Sequence, residues 1–358
     1  MKIAILHNFM DNIGGAEKLV LMLARELNAD VITTNINQEA IKKFGFDDVF
    51  IKSIGQVPLI WPYKQLKTIS LFRSLKLNKY DALVISGEWA LAAAKKNKPV
   101  LWYVHSLPRH IWDFYKQEFA KQKTFIDRIK FKFFTNYFKK FVEKYAFFPQ
   151  IIAANSNNTQ RKLIKNIKRD SLLIYPPIDV KNFYFEKYGD FWLSVNRISE
   201  NKRIELQLQT FARIPQEKLL IVGEAENTPA AQRYFNKLKL FAPSNVEFLG
   251  EITDKKLKKL YATCKGFVTT AEDEDFGITP VEAMASGKPV IAPDEGGYKE
   301  TINEQTGILS EVLPYKFAEA VMQISKNPEK YKQACLEKAE SFSLKKFSDQ
   351  FKNTLKSI

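Results

Sequence analysis

The chain has 358 residues, 45% hydrophobic and 27% charged, which suits a soluble protein with two buried cores of ordinary size. Its net charge of +15 needs an anionic partner: nucleic acid, an acidic membrane surface or phosphorylated ligands. No apolar run approaches the roughly 18 residues of a membrane-spanning helix, Cys264 and Cys335 have no metal or disulfide spacing, so a reducing cytoplasm is expected, and His7, His105 and His110 are too few for a multi-histidine metal site.

In chain order, short apolar runs alternate with helical patterns. Ile3–His7 reads as a strand, Ala16–Leu27 as a helix, and Asp30–Thr34, Ala82–Ser86, Val100–Val104 and Ile151–Asn155 as further strands. Tyr175-Pro176-Pro177-Ile178-Asp179 reads as a linker, because paired prolines extend the chain. The pattern then repeats. Strands are expected at Phe191–Val195, Leu219–Val222, Val246–Phe248, Gly266–Thr269 and Pro289–Ile291. Helices fall around Ile204–Ala212, Ala230–Leu240, Asp254–Cys264 and Val281–Ser286. This predicts an α/β protein with parallel sheets in two domains, 1–178 and 179–340. The final 341–358 segment carries an amphipathic helix, Leu344–Ile358, expected to return to the first domain.

The most informative segment runs from Glu272 to Pro289. Thr279-Pro280-Val281-Glu282 reads as a helix start, with a hydroxyl cap, proline first and glutamate third. Phe276-Gly277 before it would leave backbone N–H groups free for a phosphate. Glu282 as a mere cap and Glu274 as a solvated acid is the plainer reading. Against it, both carboxylates flank a glycine loop at a strand's carboxyl end, where open α/β sheets bind ligands.

The segment resembles the Glu-x7-Glu signature of retaining glycosyltransferase family 4, which has the GT-B fold, and most of all its O-antigen mannosyltransferase branch. The resemblance implies two Rossmann-like domains facing a central cleft. It gives Glu274 to hydroxyls of the transferred sugar and Glu282 to the nucleotide ribose. Phe276, Gly277, Ile278 and Thr279 would line the donor through their backbone. It also extends to Arg197-Ile198-Ser199-Glu200-Asn201-Lys202-Arg203, which is similar to the family's Gly-Arg-x4-Lys-Gly turn. Arg197 and Lys202 would then neutralise the donor diphosphate, with Asn196 and Arg203 replacing the usual glycines. Lys202 and Arg203 are placed at a helix N-terminus, where the helix dipole disfavours cations unless an anion binds.

Gly14-Gly15-Ala16-Glu17 resembles the family's first loop, which approaches the donor phosphates and the acceptor. His105-Ser106-Leu107-Pro108-Arg109 resembles its His-x-Pro-x-Arg loop, whose histidine lies beside the transferred sugar. Arg109 would meet a phosphate on the acceptor, and Asn155-Ser156 matches a further strand-end pair. Taken alone, the glycine pair is an ordinary turn and His105 a buried hydrogen-bonding residue.

Between Tyr115 and Phe148 stand nine Lys or Arg against three acids. Phe125, Ile129, Phe133, Tyr137 and Phe141 recur every four residues. Such a helix either lies on anionic lipid or packs its aromatic stripe inward with wet lysines.

The resemblance implies a retaining, metal-independent hexosyltransferase without a cofactor. It would move a sugar, expected to be mannose from GDP-mannose, to a lipid-linked glycan during surface polysaccharide or glycoconjugate assembly. It would be cytoplasmic, peripheral on the cytoplasmic face of a membrane, with no nucleic-acid partner. A soluble acceptor, another GT-B nucleotide-sugar enzyme such as an epimerase or phosphorylase, and a non-catalytic nucleic-acid binder are the alternatives.

Overall fold

A strand buried on both faces has no polar side to alternate with, so it reads as an unbroken apolar run. Ile-Ala-Ile-Leu, Ala-Leu-Val-Ile and Val-Leu-Trp-Tyr-Val are such runs, and all are fully buried. In the computed structural model, which describes Met1–Ile358, they are central strands of a seven-stranded parallel sheet. Its strands are β1 (Ile3–Leu6), β2 (Asp30–Thr33), β3 (Ile51–Ser53), β4 (Ala82–Ile85), β5 (Val100–Val104), β6 (Ile151–Ala154) and β7 (Leu172–Leu173). Their spatial order is β3-β2-β1-β4-β5-β6-β7. The chain leaves β1 toward one edge and returns through β4 toward the other. The carboxyl ends of β1 and β4 therefore flank the topological switch point, where such sheets open a crevice.

This sheet belongs to a unit of Met1–Pro176 joined by Phe347–Ile358. The helix Leu344–Lys356 buries Phe347, Phe351 and Leu355. Phe347 and Phe351 set their rings 5.9 and 5.1 Å from that of Tyr103 on β5. The expected return of the C-terminal helix to the first sheet is thus observed. The long helix Phe125–Tyr145 packs Phe138 and Phe141 against Trp89.

The second unit, Pro177–Lys346, repeats the plan. Its strands are β8 (Phe191–Val195), β9 (Lys218–Val222), β10 (Val246–Gly250), β11 (Gly266–Val268), β12 (Val290–Pro293) and β13 (Gly307–Ser310). They form a parallel sheet in the order β10-β9-β8-β11-β12-β13. Here the switch point lies between β8 and β11.

Candidate active site

In the second unit, β8 runs into a tight turn, Glu200–Lys202, and then the helix Ile204–Phe211. Thr270, just past β11, donates its hydroxyl to the carbonyls of Lys202 (2.6 Å) and Arg203 (3.0 Å). The Glu272 amide donates to the Asn201 carbonyl at 2.8 Å. These bonds lock the β8 turn to the loop after β11. They bring the Lys202 ammonium to 2.5 Å from the Glu274 carboxylate, with both side chains mostly covered. Arg203 makes a second bridge, donating to Glu295 at 2.6 Å.

The loop after β12 closes on the same carboxylate segment. The Gly297 amide donates to the Glu274 carbonyl at 2.7 Å. A Cβ on Gly296, whose φ is +59°, would stand 2.5 Å from that carbonyl oxygen. Only glycine permits so close an approach. Tyr298 follows, fully buried, with its hydroxyl 2.9 Å from that of Thr269. Burial, reinforced by the Glu274 charge, pushes the Tyr298 phenol well above its usual range.

The helix after the β11 loop is Ile278–Ala285. Its cap is Gly277 in the left-handed region, φ 87° and ψ 80°, with no side-chain cap bond. This corrects the expected Thr279 cap: Thr279 lies inside the first turn, and Glu282 lies too far along to be the reciprocal glutamate. Glu282 instead accepts from the buried Tyr261 hydroxyl at 2.9 Å. Burial, then the Glu282 charge, pushes that phenol well upward. The capping explanation of Glu282 is thereby removed.

Arg197 stands apart. Its guanidinium donates to Glu226 in the loop after β9 at 2.9 Å, and their side chains are 63% and 60% exposed. Such a solvated pair is weak, on the order of 0–1 kcal/mol, and leaves Arg197 able to change partners. The structure thus brings together Lys202, Glu274 and the Gly277 helix start, but not Arg197.

In the first unit, a cavity of about 320 Å³ opens at the β1, β4 and β5 strand ends. His105 sits on its wall with Nε2 2.6 Å from the Ser86 hydroxyl and its ring edge-on to Tyr103. Burial, with His7 adding to it, drives the His105 pKa down to about 3 against the pull of Glu17. His105 is therefore a neutral hydrogen-bonding group. His7 Nε2 lies 3.3 Å from Glu17, whose other oxygen accepts the Gly14 amide at 2.9 Å. Burial opposes ionisation of Glu17, but the hydrogen bond and charge of His7 hold its carboxyl below the usual range. Gly14 thus spends its amide on its own helix, as the N-cap of Gly15–Leu27. Glu88, missed in the sequence, faces the cavity and accepts from the Asn8 amide at 3.1 Å. Burial pushes its carboxyl upward. Arg109 lies on the Phe114 ring and 3.6 Å from Asp113, which Lys162 also approaches at 3.2 Å.

With this geometry in view, comparisons with known proteins become decisive. Residues 13–182 match the model of Glycosyltransferase Family 4, and residues 180–341 that of Glycosyl transferases group 1. The chain is 26% identical to the alpha-1,3/1,6-mannosyltransferase ALG2 of Dictyostelium discoideum, over 92% of this chain and 90% of that one. It is 37% identical to a GDP-mannose-dependent alpha-mannosyltransferase of Mycolicibacterium smegmatis, over 35% of this chain and 31% of the other. The chain belongs to the family 4 glycosyltransferases. Several other mannosyltransferases are matched over about half of their length. The crystal structure of Anabaena HepE with UDP and glucose superposes with a TM-score of 0.77, at 20% identity and over the whole of both chains. That likeness fixes the GT-B fold.

The transferase uses a nucleotide sugar, and its second unit contains residues that sequence reasoning passed over. Thr270, Glu295, Gly296, Gly297 and Tyr298 all hold the Glu274 loop or its Lys202 and Arg203 neighbours in place. The signal for them was an acid and a glycine pair directly after an apolar strand. Ser86-Gly87-Glu88 after β4 carried a similar signal in the first unit, an acid beside one glycine.

Proposed function

We propose that the transferase moves mannose from GDP-mannose to a hydroxyl of a lipid-linked glycan, with retention of anomeric configuration, no cofactor and no divalent metal. It works peripherally on the cytoplasmic face of an anionic membrane. The Lys202–Glu274 pair beside the Gly277 helix start carries this reading. A cation and a carboxylate meet there, three residues before a helix start that no side chain caps. That is the chemistry a sugar diphosphate requires.

As the bond between the anomeric carbon and the diphosphate oxygen breaks, negative charge collects on the departing phosphate. Lys202 and the amides at Ile278 and Thr279 stabilise it, and Arg197 joins them by leaving Glu226. Glu274 holds sugar hydroxyls and faces the positive charge growing at the anomeric carbon. Glu282, fixed by Tyr261, binds the ribose. The acceptor oxygen forms the new bond on the face the phosphate leaves, and its proton passes to that phosphate. Neutral His105 hydrogen-bonds sugar hydroxyls, while Arg109 meets an acceptor phosphate. The mannosyltransferase relatives support the sugar, and a matched Dictyostelium discoideum mannosyltransferase whose acceptor is a PP-Dol-linked glycan supports the lipid-linked acceptor.

The test is a donor panel of GDP-, UDP- and ADP-sugars with a polyprenyl-diphosphate glycan acceptor, followed by NMR of the product. GDP-mannose should turn over fastest and give an α linkage. Preference for a UDP-sugar would overturn the mannose assignment, and a β linkage would overturn retention.

A further inference from the structure

Monomeric proteins rarely expose large contiguous apolar patches, yet the first unit exposes several large apolar side chains on two neighbouring elements. On the helix Phe125–Tyr145, Phe131, Thr135, Phe138, Phe141, Val142 and Tyr145 are buried. At about 3.6 residues per turn, Phe125, Ile126, Ile129 and Phe133 fall on the opposite side, each more than half exposed. In the same unit the loop before the helix Tyr63–Ser74 exposes Leu59 (74%) and Ile60 (68%), with Tyr63 next in the chain after Trp61 and Pro62. Rings join the two elements. Trp61 lies 5.7 Å from Phe131 and 5.8 Å from Phe134, and Phe134 lies 5.3 Å from exposed Phe133.

We propose that the 59–63 loop and the outer face of the 125–145 helix form one two-part surface that inserts into the interface of an anionic phospholipid bilayer. It rests on the peripheral-membrane reading above and deepens it by naming a second inserting element that the charge pattern of the helix alone does not reveal. Charge complementarity selects the occupant. The helix carries six basic residues against two acidic ones. Arg128, Lys130 and Lys132 are exposed around its apolar stripe. Asp127 is turned back onto its own cap, accepting from the Thr124 hydroxyl at 2.7 Å. Long cationic side chains flanking an apolar stripe keep their charges at phosphate level while the rings sit below it. No helix is long and apolar enough to cross the membrane, so the surface lies on the bilayer. Two inserting elements clamped by Trp61 also fix the orientation of the unit, which one helix, free to roll about its axis, would not.

Vesicle flotation tests this with the full chain, using phosphatidylcholine alone and with about one third phosphatidylglycerol. Wild type should bind only the anionic vesicles. Leu59→Ser/Ile60→Ser should lower the partition coefficient about tenfold, Phe125→Ser/Ile129→Ser by a similar factor, and the four together by about a hundredfold. Thermal midpoints within about 2 °C of wild type confirm that the variants fold. If wild type binds and the loop variant binds equally well, the two-part surface is wrong and the membrane reading stands. If wild type binds neither vesicle, both are wrong. If the same substitutions instead dissolve a dimer seen by sedimentation, the face belongs to a second copy and the proposal is overturned.

Discussion

The two sheets share one topology, and their switch points carry opposite electrostatics. At the second unit's crevice, ion pairs crowd together: Lys202 with Glu274, and Arg203 with Glu295 and Glu272. At the first unit's cavity, burial has done the reverse. His105 is held neutral and Glu88 is pushed toward its protonated form. The same backbone plan therefore offers one strand-end site crowded with ion pairs and another in which a neutral imidazole and a raised carboxyl stand beside the single His7–Glu17 pair. Fold alone assigns neither role; the strand-end side chains do.

The sharpest way to break this contrast is to remove the charge that faces the sugar. Glu274→Ala should lower kcat/KM roughly a thousandfold with the fold retained. Undiminished turnover in a steady-state assay would strip Glu274 of its role. Next in size is Gly296→Ala, which forces a Cβ into the Glu274 carbonyl at positive φ. It should cost on the order of 1–3 kcal/mol of stability, and activity should fall about a hundredfold as the Glu274 loop shifts. Calorimetric unfolding and kinetics on one preparation measure both.

The neutral site is probed by pH. His105 binds a proton in the unfolded chain below its ordinary pKa of about 6.5 but in the folded one only near 3. Stability from its burial is complete above that ordinary value and is lost as pH falls toward 3. His105→Asn should flatten the dependence of the thermal midpoint on pH across this window. An unchanged slope would show that another group is responsible. The smallest effect is expected from Arg197→Gln. The thermal midpoint should not move, since the Glu226 pair is solvated, while the donor KM should rise about fivefold.

Much of this was legible in the sequence for a physical reason. β1, β4, β5 and β8 are fully or nearly fully buried strands and announce themselves as apolar runs. β3 and β7 lie at the sheet edges, short and largely exposed, and left no such run. The helix start at Ile278 was misread because Thr279-Pro280-Val281-Glu282 imitates a side-chain cap, while the observed cap is a left-handed glycine. The Lys202–Glu274 pair joins residues 72 positions apart, and no local pattern encodes such a meeting; resemblance to family 4 suggested it. Arg197 shared that motif, but its long exposed side chain settles on Glu226 in the loop after β9.

The central claim is that Lys202, held beside Glu274, binds the donor diphosphate. Calorimetric titration of GDP into wild type and Lys202→Met tests it most directly. The substitution should weaken binding roughly thirtyfold, about 2 kcal/mol for a lost charge-assisted contact. Equal affinity in the two proteins would place the diphosphate elsewhere and contradict the account.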